Sequence, residues 1–458
     1  MNRRGSGQSQ QGSSQAHPEP QATGAKRGPR FATVTTNMGG RWVWRSATIA
    51  FAALVVLEVF FWFGALWLPL PIELRAVLPD SILYVCRGFE IAGYPLAERI
   101  TATQEIFLAG GYPPDSCANV ATVQAIPQQV YGRVILPGAI ASLAALTSSQ
   151  YSSLAAAMPS IVFYVVVATA WWLIVAQGVR GVASVKRQLF AATVLLGTFV
   201  AGYRLIWSTG RILTEGPWIG SLLLLTLLVY RISDSSRFRS PSWYLPAAVL
   251  AGIILLASRQ SWPLAAALWG YALACTLRQR LRSSPLAITF AAIIATATAL
   301  ATAWIIEQLT YPSQLASTGQ GEIASEAVTD SYIAFRFSEA RQNPGGLIGA
   351  ALESSWGDVQ TALSRGDVFS IAVILAGLAA LMWLLINKQW GWAIAAASAW
   401  ALSTYSLGIL NLAFDSSDTG YRFLVAPVLL SLAAAWLVYS GKAPSDLASS
   451  SRSEVPSK

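Results

Sequence analysis

Several apolar runs of this chain are followed by charged side chains that could carry out acid–base chemistry or bind an anion. The stretch "LPDSILYVCRGFEIAGYP", residues 78–95, places Asp80 a few residues beyond the first apolar run and Tyr84 four residues later. A carboxylate in that position can act as a general base or as a metal ligand. It can also cap the apolar helix that follows by accepting backbone N–H bonds, and spacing alone favours this structural role.

A second group of charges lies in "GYRLIWSTGRILTEGPW", which contains Arg204, Arg211 and Glu215. A spacing of four residues would put Arg211 and Glu215 on one face of a helix, where they can pair. The sequence therefore offers two interpretations of this turn. It is either a structural ion pair or an acid and a base that receive a charged headgroup.

Three further arginines stand at the edges of apolar segments: Arg336 and Arg341 in "AFRFSEARQNPGG", and Arg422 in "DSSDTGYRFLVAP". A guanidinium just above the hydrocarbon layer is suited to bidentate contacts with phosphate. The alternative is that these side chains extend toward lipid headgroups without a specific ligand.

Other kinds of chemistry are excluded by composition. The only histidine, His17, lies in a polar segment near the amino end, and the chain has no CxxC pair, Walker loop or dinucleotide-binding glycine motif. Ser-His-Asp hydrolysis, Cys-His catalysis and His-ligated zinc all require an ordered imidazole. Any reaction must therefore use carboxylates, arginines, hydroxyls or a bound metal.

The elements that would position these residues are membrane helices. The chain is 54% hydrophobic and only 12% charged, and its apolar runs repeatedly reach the ~20 residues needed to cross a bilayer. We predict an all-α polytopic bundle with about ten (ten to twelve) transmembrane helices. The predicted spans are 46–69, 157–178, 188–207, 211–230, 244–258, 261–277, 285–306, 368–387, 390–410 and 422–440. Glu58 is the one ionisable residue near the centre of a span.

Charge predicts the orientation. With the basic amino-terminal segment in the cytoplasm and ten crossings, 20 of the 31 Lys and Arg residues fall inside, against four acids. This asymmetry follows the positive-inside rule, so both termini are predicted to be cytoplasmic in a multi-pass plasma (inner) membrane protein. The segment 130–147 is then an outer-face or half-inserted helix. The net charge of +9 reflects topology, and we predict no nucleic-acid partner.

The tails and loops complete the predicted organisation. Residues 1–41 and 441–458 contain few large apolar side chains and are predicted to be disordered cytoplasmic tails around a membrane domain of residues 42–440. Two long extracytoplasmic loops, about 70–156 and 307–367, carry amphipathic patterns typical of surface helices. The first loop contains Cys86 and Cys117, for which a disulfide and two free thiols are equally compatible with the sequence.

The order of these features resembles the GT-C superfamily of polytopic glycosyltransferases. The branch that includes protein mannosyltransferases and lipid A aminoarabinose transferases is similar in its first outer loop, to which "PDSILYVCRGFEIAGYP" corresponds through Asp80 and Tyr84. "STGRILTEGPW", "EARQNPGG" and "TGYRFLVAP" resemble later segments in the family order. The chain departs from the family in having Ser81 after Asp80, where an acidic pair is common.

The resemblance implies a hexosyl- or pentosyltransferase that takes its sugar from a polyprenyl-phosphate donor in the membrane lipid. The acceptor would be a glycan, lipid or protein on the extracytoplasmic face. It implies Asp80 as the catalytic base and substrate binding by Tyr84, Arg204, Arg211, Glu215, Arg336, Arg341 and Arg422. No cofactor is certain, and a divalent metal (Mg²⁺ or Mn²⁺) on Asp80 and Glu215 stays open. The alternative function is a non-enzymatic transporter or flippase of lipid-linked saccharide, which should carry charges along several spans.

Overall fold

A computed structural model describes most of the predicted membrane domain. The described residues are 32–68, 75–77, 81–109, 132–147, 151–179, 184–233, 243–259, 261–281, 285–310, 344–364, 367–414 and 421–450. Four residues singled out from the sequence, Asp80, Cys117, Arg336 and Arg341, lie outside these ranges, as does the side chain of Arg204.

All regular elements in the described ranges are helices, in agreement with the predicted fold class. In chain order they are α1 (Ala32–Gly64), α2 (Ser81–Ile91), α3 (Leu96–Ala109), α4 (Ile135–Leu146), α5 (Ser152–Gln177), α6 (Val185–Ala201), α7 (Tyr203–Trp207), α8 (Glu215–Ser233), α9 (Tyr244–Ser258), α10 (Trp262–Leu281), α11 (Pro285–Thr310), α12 (Pro344–Ser364), α13 (Val368–Ile386), α14 (Trp390–Phe414) and α15 (Tyr421–Ser450).

Six of these helices contain a segment long and apolar enough to cross a membrane. The segments are Trp42–Gly64, Ser152–Gln177, Glu215–Ser233, Leu286–Thr310, Val368–Ile386 and Arg422–Gly441. Each of the ten predicted spans overlaps a described helix, but only these six meet the length and composition of a span within the described residues. The peripheral helices expose large apolar side chains such as Phe60, Leu286 and Phe369, as expected of surfaces in contact with lipid.

The first predicted outer loop contains three short helices, α2, α3 and α4. The 12 residues of α4 rise ~18 Å, well short of the ~30 Å hydrocarbon layer. The helix packs against α2, where a Cβ on Gly88 would lie 2.6 Å from Ile140 Cγ2. It is joined to the end of α9 by a 2.9 Å hydrogen bond from Val134 N to Ala257 O. We call α2, α3, α4 and the turn at residues 132–134 the cap.

At several places in the bundle core a tryptophan ring packs directly on a glycine. A Cβ atom added to Gly178 would lie 2.3 Å from the Trp436 ring, and a Cβ atom added to Gly252 would lie 2.3 Å from the Trp269 ring. The indole N–H groups of Trp436 and Trp269 donate to backbone carbonyls at 3.0 Å. Glycine thus lets neighbouring helices approach while the indole groups keep their hydrogen bonds.

Three element boundaries differ from the sequence prediction. Helix α1 begins at Ala32, within the predicted tail 1–41, and α15 continues to Ser450, within the predicted tail 441–458. Apolar composition marks where a helix enters lipid, and a helix can continue beyond that point. The predicted span 188–207 is interrupted at Gly202, where a Cβ would lie 2.5 Å from Thr198 O. The Thr198 hydroxyl also donates to Val194 O at 2.8 Å, a bond that often bends helices.

Candidate anion-binding site

The site is built around Glu215, the first residue of α8. Pro217 stands in the first turn of this helix, where its missing N–H costs no hydrogen bond, and this favours a helix start here. The Glu215 side chain is only 5% exposed. A carboxylate at a helix amino terminus is stabilised by the helix dipole. The local sequence therefore fixes an acidic group at the end of a bundle helix, and we call this end of the molecule the Glu215 end.

Arg259 is the direct partner of Glu215. It follows Ser258, the last residue of α9, and its Nη1 lies 3.1 Å from Glu215 Oε1. Its guanidinium lies over two aromatic rings, 4.7 Å from the centroid of Trp218 and 4.6 Å from that of Phe423. An ion pair and two cation–π contacts hold the same group. Arg259 is thereby fixed in one position with its side chain largely buried.

Burial sets the electrostatics of this group. It lowers the pKa of Arg259 to about 10, and the nearby Arg133 and Arg422 add to the effect. Glu215 and, more weakly, Tyr84 favour the charged form and oppose this decrease in the Arg259 pKa. Because each of these four groups affects the pKa of Arg259, all four lie within electrostatic range of its guanidinium. We call Tyr84, Arg133, Glu215, Arg259 and Arg422 the arginine cluster.

The cap contributes Tyr84 and Arg133 to the arginine cluster. Tyr84 lies on the buried face of α2, and its hydroxyl accepts a 2.6 Å hydrogen bond from Arg133 Nη1. Arg133 stands immediately before Val134, whose N–H donates to Ala257 O two residues before Arg259. This backbone bond places the turn that carries Arg133 beside the end of α9.

Helix α15 contributes Arg422. Its guanidinium lies 4.9 Å from the centroid of the Phe423 ring, the ring that Arg259 also contacts. Phe423 is therefore shared between two cations at the Glu215 end.

Among the described side chains, the arginine cluster combines three guanidinium groups with the carboxylate of Glu215. Two buried donors flank Glu215 along the chain: Thr214 Oγ1 and Trp218 Nε1 have no hydrogen-bond partner among the described residues. Fixed cations and unused donors in a poorly hydrated site favour a ligand that is anionic and rich in acceptor oxygens. The chemistry that this arrangement supports best is phosphate binding.

The structure brings together three of the residues predicted from the sequence: Tyr84, Glu215 and Arg422. Arg211 lies nearby in the turn 208–214, which is held to the segment after α1 by a 3.0 Å hydrogen bond from Ile212 N to Ala76 O. The sequence allows Arg211 to pair with Glu215 on one helix, whereas the direct ion-pair partner of Glu215 among the described residues is Arg259. Arg211 precedes the helix, so the four-residue spacing does not bring the two side chains onto one helical face.

The predicted metal site finds little support in the described residues. They contain no group of three or more His, Cys, Asp and Glu side chains that could hold an ion. Glu215 is paired with the guanidinium of Arg259, whose positive charge opposes a divalent cation at the same carboxylate. Asp80, the other predicted ligand, lies outside the described residues, so its part in a metal site stays a prediction.

Arg133 and Arg259 are the two site residues that sequence reasoning missed. Both carry the signal that singled out Arg422, because each is an arginine at the edge of an apolar run. Their convergence depends on packing between α4, α8 and α9, which no local pattern reveals.

Comparison of the chain with known protein families, with characterised proteins and with solved structures finds no match. The chemistry of the arginine cluster and the sequence resemblance to GT-C glycosyltransferases are therefore what point to a function.

Proposed function

We propose that the protein is an integral membrane glycosyltransferase that moves a sugar from a polyprenyl-phosphate donor to an acceptor on the extracytoplasmic face. In this proposal the chain crosses a plasma membrane about ten times with both termini in the cytoplasm, and the Glu215 end faces outward. The observation that carries the proposal is the arginine cluster itself, in which Arg133 and Arg422 lie within electrostatic range of Arg259, the ion-pair partner of Glu215.

The arginine cluster would bind the phosphate of the donor. In the reaction, the acceptor oxygen forms a bond to the anomeric carbon, and the bond from that carbon to the phosphate oxygen breaks. The phosphate leaves with the bonding electron pair and gains negative charge. Fixed cations stabilise this charge more strongly in the transition state than in the bound donor, which is the condition for catalysis.

Glu215 and Tyr84 would act as positioning residues in this mechanism. The ion pair with Glu215 and the two aromatic rings keep Arg259 in place, and the Tyr84 hydroxyl does the same for Arg133. Cations that are already oriented need no reorganisation when charge develops on the leaving group.

Asp80 would accept the proton of the acceptor hydroxyl. Helix α2 begins at Ser81, the residue after Asp80, and Tyr84 lies in the first turn of the same helix. This proximity along the chain supports a carboxylate near the arginine cluster. Transfer in a single displacement would invert the anomeric centre.

The test is a transfer assay on the full chain in membranes, supplied with a panel of radiolabelled polyprenyl-phosphate sugars. We expect wild-type protein to produce a labelled acceptor, and Asp80→Asn to abolish transfer while retaining donor binding. Arg259→Gln should weaken donor binding. Arg99→Gln is the matched control, because Arg99 lies 3.8 Å from Glu90 and outside the arginine cluster. Transfer retained by Asp80→Asn would contradict the role of Asp80 as the base. Absence of transfer from every donor would contradict the proposed glycosyltransferase activity.

One observation favours the alternative, a transporter or flippase of lipid-linked saccharide. Glu58 lies on the face of α1 that also carries Phe51 and Trp62, and its Oε2 is buried with no hydrogen-bond partner among the described residues. Unpaired ionisable groups within a span often mark a transport route. Movement of a labelled lipid-linked sugar across vesicles without covalent transfer, abolished by Glu58→Gln, would establish this function instead.

A further inference from the structure

The opposite end of the bundle carries a second group of cations, centred on Arg187 in the first turn of α6. Arg187 Nη2 donates a 2.9 Å hydrogen bond to Ser440 O in α15, and the guanidinium lies 5.5 Å from the centroid of the Tyr439 ring. These contacts join the start of α6 to the far part of α15. The guanidinium is thus fixed in orientation by two contacts from a single helix.

Arg187 has no carboxylate partner among the described residues, where the ion pairs are those of Arg87, Arg99 and Arg259. Its Nε is buried and makes no hydrogen bond there. The adjacent Lys186 is exposed and adds a second positive charge. Within the described part of the chain neither cation has an acidic partner, and two such neighbouring cations create a local positive potential that attracts an anion.

Aromatic rings border these two cations on the outer surface of the bundle. Phe190, Trp436 and Tyr439 form a cluster with ring centroids 5.6 to 6.1 Å apart. Phe190 is 51% and Tyr439 44% exposed. Exposed aromatic residues of this kind typically lie at the level of lipid headgroups. The surface therefore combines positive charge, which can bind a lipid headgroup, with exposed aromatic rings that can contact the acyl chains.

We propose that Lys186, Arg187, Phe190 and Tyr439 form a binding site for one anionic phospholipid. The phosphate would contact the two cations, and the glycerol and upper acyl chains would lie against the Phe190 and Tyr439 rings. Charge complementarity identifies the occupant: a zwitterionic headgroup carries no net charge, and a free phosphate would leave the exposed rings uncovered. A bound lipid would connect α6 to α15 and stabilise their contact at this end.

Native mass spectrometry of the purified full chain, with added phosphatidylglycerol, phosphatidylcholine or inorganic phosphate, tests the site. We expect phosphatidylglycerol adducts to survive detergent removal and to raise the thermal midpoint, with little effect of the other two. Lys186→Gln should weaken phosphatidylglycerol binding about fivefold, the effect of one cation near an anionic lipid surface. Combining it with Arg187→Gln should abolish the adduct.

Lys388→Gln is the matched control, because Lys388 is exposed in the turn between α13 and α14 and makes none of these contacts. It should bind phosphatidylglycerol like wild type. Lys186→Gln changes an exposed side chain, so its result does not depend on any loss of folding caused by Arg187→Gln. Undiminished lipid retention in Lys186→Gln would overturn the proposal. Equal stabilisation by phosphatidylcholine or by inorganic phosphate would do so as well.

Discussion

Arg259 and Glu215 form a 3.1 Å ion pair across 44 residues of sequence. The carboxylate stands at the start of α8 and the guanidinium just after the end of α9, so the pair connects two neighbouring helices at the Glu215 end. Both side chains are largely buried, and the Trp218 and Phe423 rings enclose the cation. The pair therefore fixes the position of one cation of the arginine cluster.

Removing the charge of Glu215 should destabilise the protein strongly. Glu215→Gln leaves Arg259 buried without its carboxylate, a change that costs about 3–5 kcal/mol. We expect the free energy of unfolding, measured by chemical denaturation in detergent, to fall by an amount in that range. The double variant Glu215→Gln, Arg259→Gln should recover part of the loss, because the uncompensated charge is gone. Strictly additive losses would show that the two groups do not interact.

Anion binding should depend on pH through Arg259. Burial lowers the pKa of Arg259 to about 10, well below its ordinary value, so its charge is lost as the pH rises through that value. Affinity for a short-chain isoprenyl phosphate should be constant from about pH 7 to 9 and should decrease as the pH approaches 10. Arg259 should also make the free energy of unfolding rise with pH above about 10. Above that pH the folded protein has released the Arg259 proton, whereas the unfolded chain, in which the pKa has its ordinary value, still binds it. Arg259→Gln should bind weakly at every pH, and an equal decrease near pH 10 in that variant would exclude Arg259 as the cause.

The hydroxyl of Tyr84 should matter for ligand affinity more than for folding. Tyr84→Phe keeps the packed ring and removes the acceptor of the 2.6 Å hydrogen bond from Arg133. A hydrogen bond to a charged group contributes about 1.5–3 kcal/mol, so binding of the isoprenyl phosphate should weaken about tenfold or more. Tyr94→Phe removes a hydroxyl of the cap that donates to Ala144 O at 3.3 Å, and it should leave affinity unchanged. Equal effects of the two variants would argue against orientation of Arg133 by Tyr84.

Gly210 should not tolerate a side chain. A Cβ at this position would lie 2.5 Å from the Trp62 ring, which packs in turn on Trp207 with ring centroids 4.1 Å apart. Gly210→Ala must displace one of these rings, at a cost of about 1–3 kcal/mol. Gly197→Ala is the control, since a Cβ there meets nothing within 4 Å. In that helix interior, alanine should be neutral or stabilising. The comparison is made by thermal unfolding, and a larger loss for Gly197→Ala would contradict the packing argument.

The cap should respond to reducing agents. Cys86 on α2 is disulfide-bonded and lies 3.5 Å from Thr103 Oγ1, whereas Cys275 in α10 carries a thiol that is in no disulfide. Cys86→Ser, or treatment with dithiothreitol, should lower the free energy of unfolding by about 2–4 kcal/mol. Mobility on a non-reducing gel should change in parallel. Cys275→Ser should alter neither property, and the same response in both variants would show that the loss does not come from the bond at Cys86.

Much of the fold could be predicted from the sequence, because the physics of membrane helices is local. Apolar runs located the long helices of the bundle except α12, which lies within the predicted outer loop 307–367, and amphipathic patterns located α2 and α3. The ion pair of Glu215 could not be predicted in this way. The four-residue spacing from Arg211 assumes a continuous helix, whereas α8 starts at Glu215 with Pro217 in its first turn. Arg259 becomes the partner because α9 packs beside α8, a relationship that the local sequence does not encode.

The arginine cluster is divided between two parts of the molecule. Glu215, Arg259 and Arg422 stand at the ends of bundle helices, while Tyr84 and Arg133 belong to the cap, which the Val134–Ala257 backbone bond attaches to α9. The arginine cluster is therefore complete only when the cap is in contact with the ends of the bundle helices. A chain whose helices are all in place but whose periphery is undocked would have the membrane topology of the finished protein and only part of its affinity for an anion.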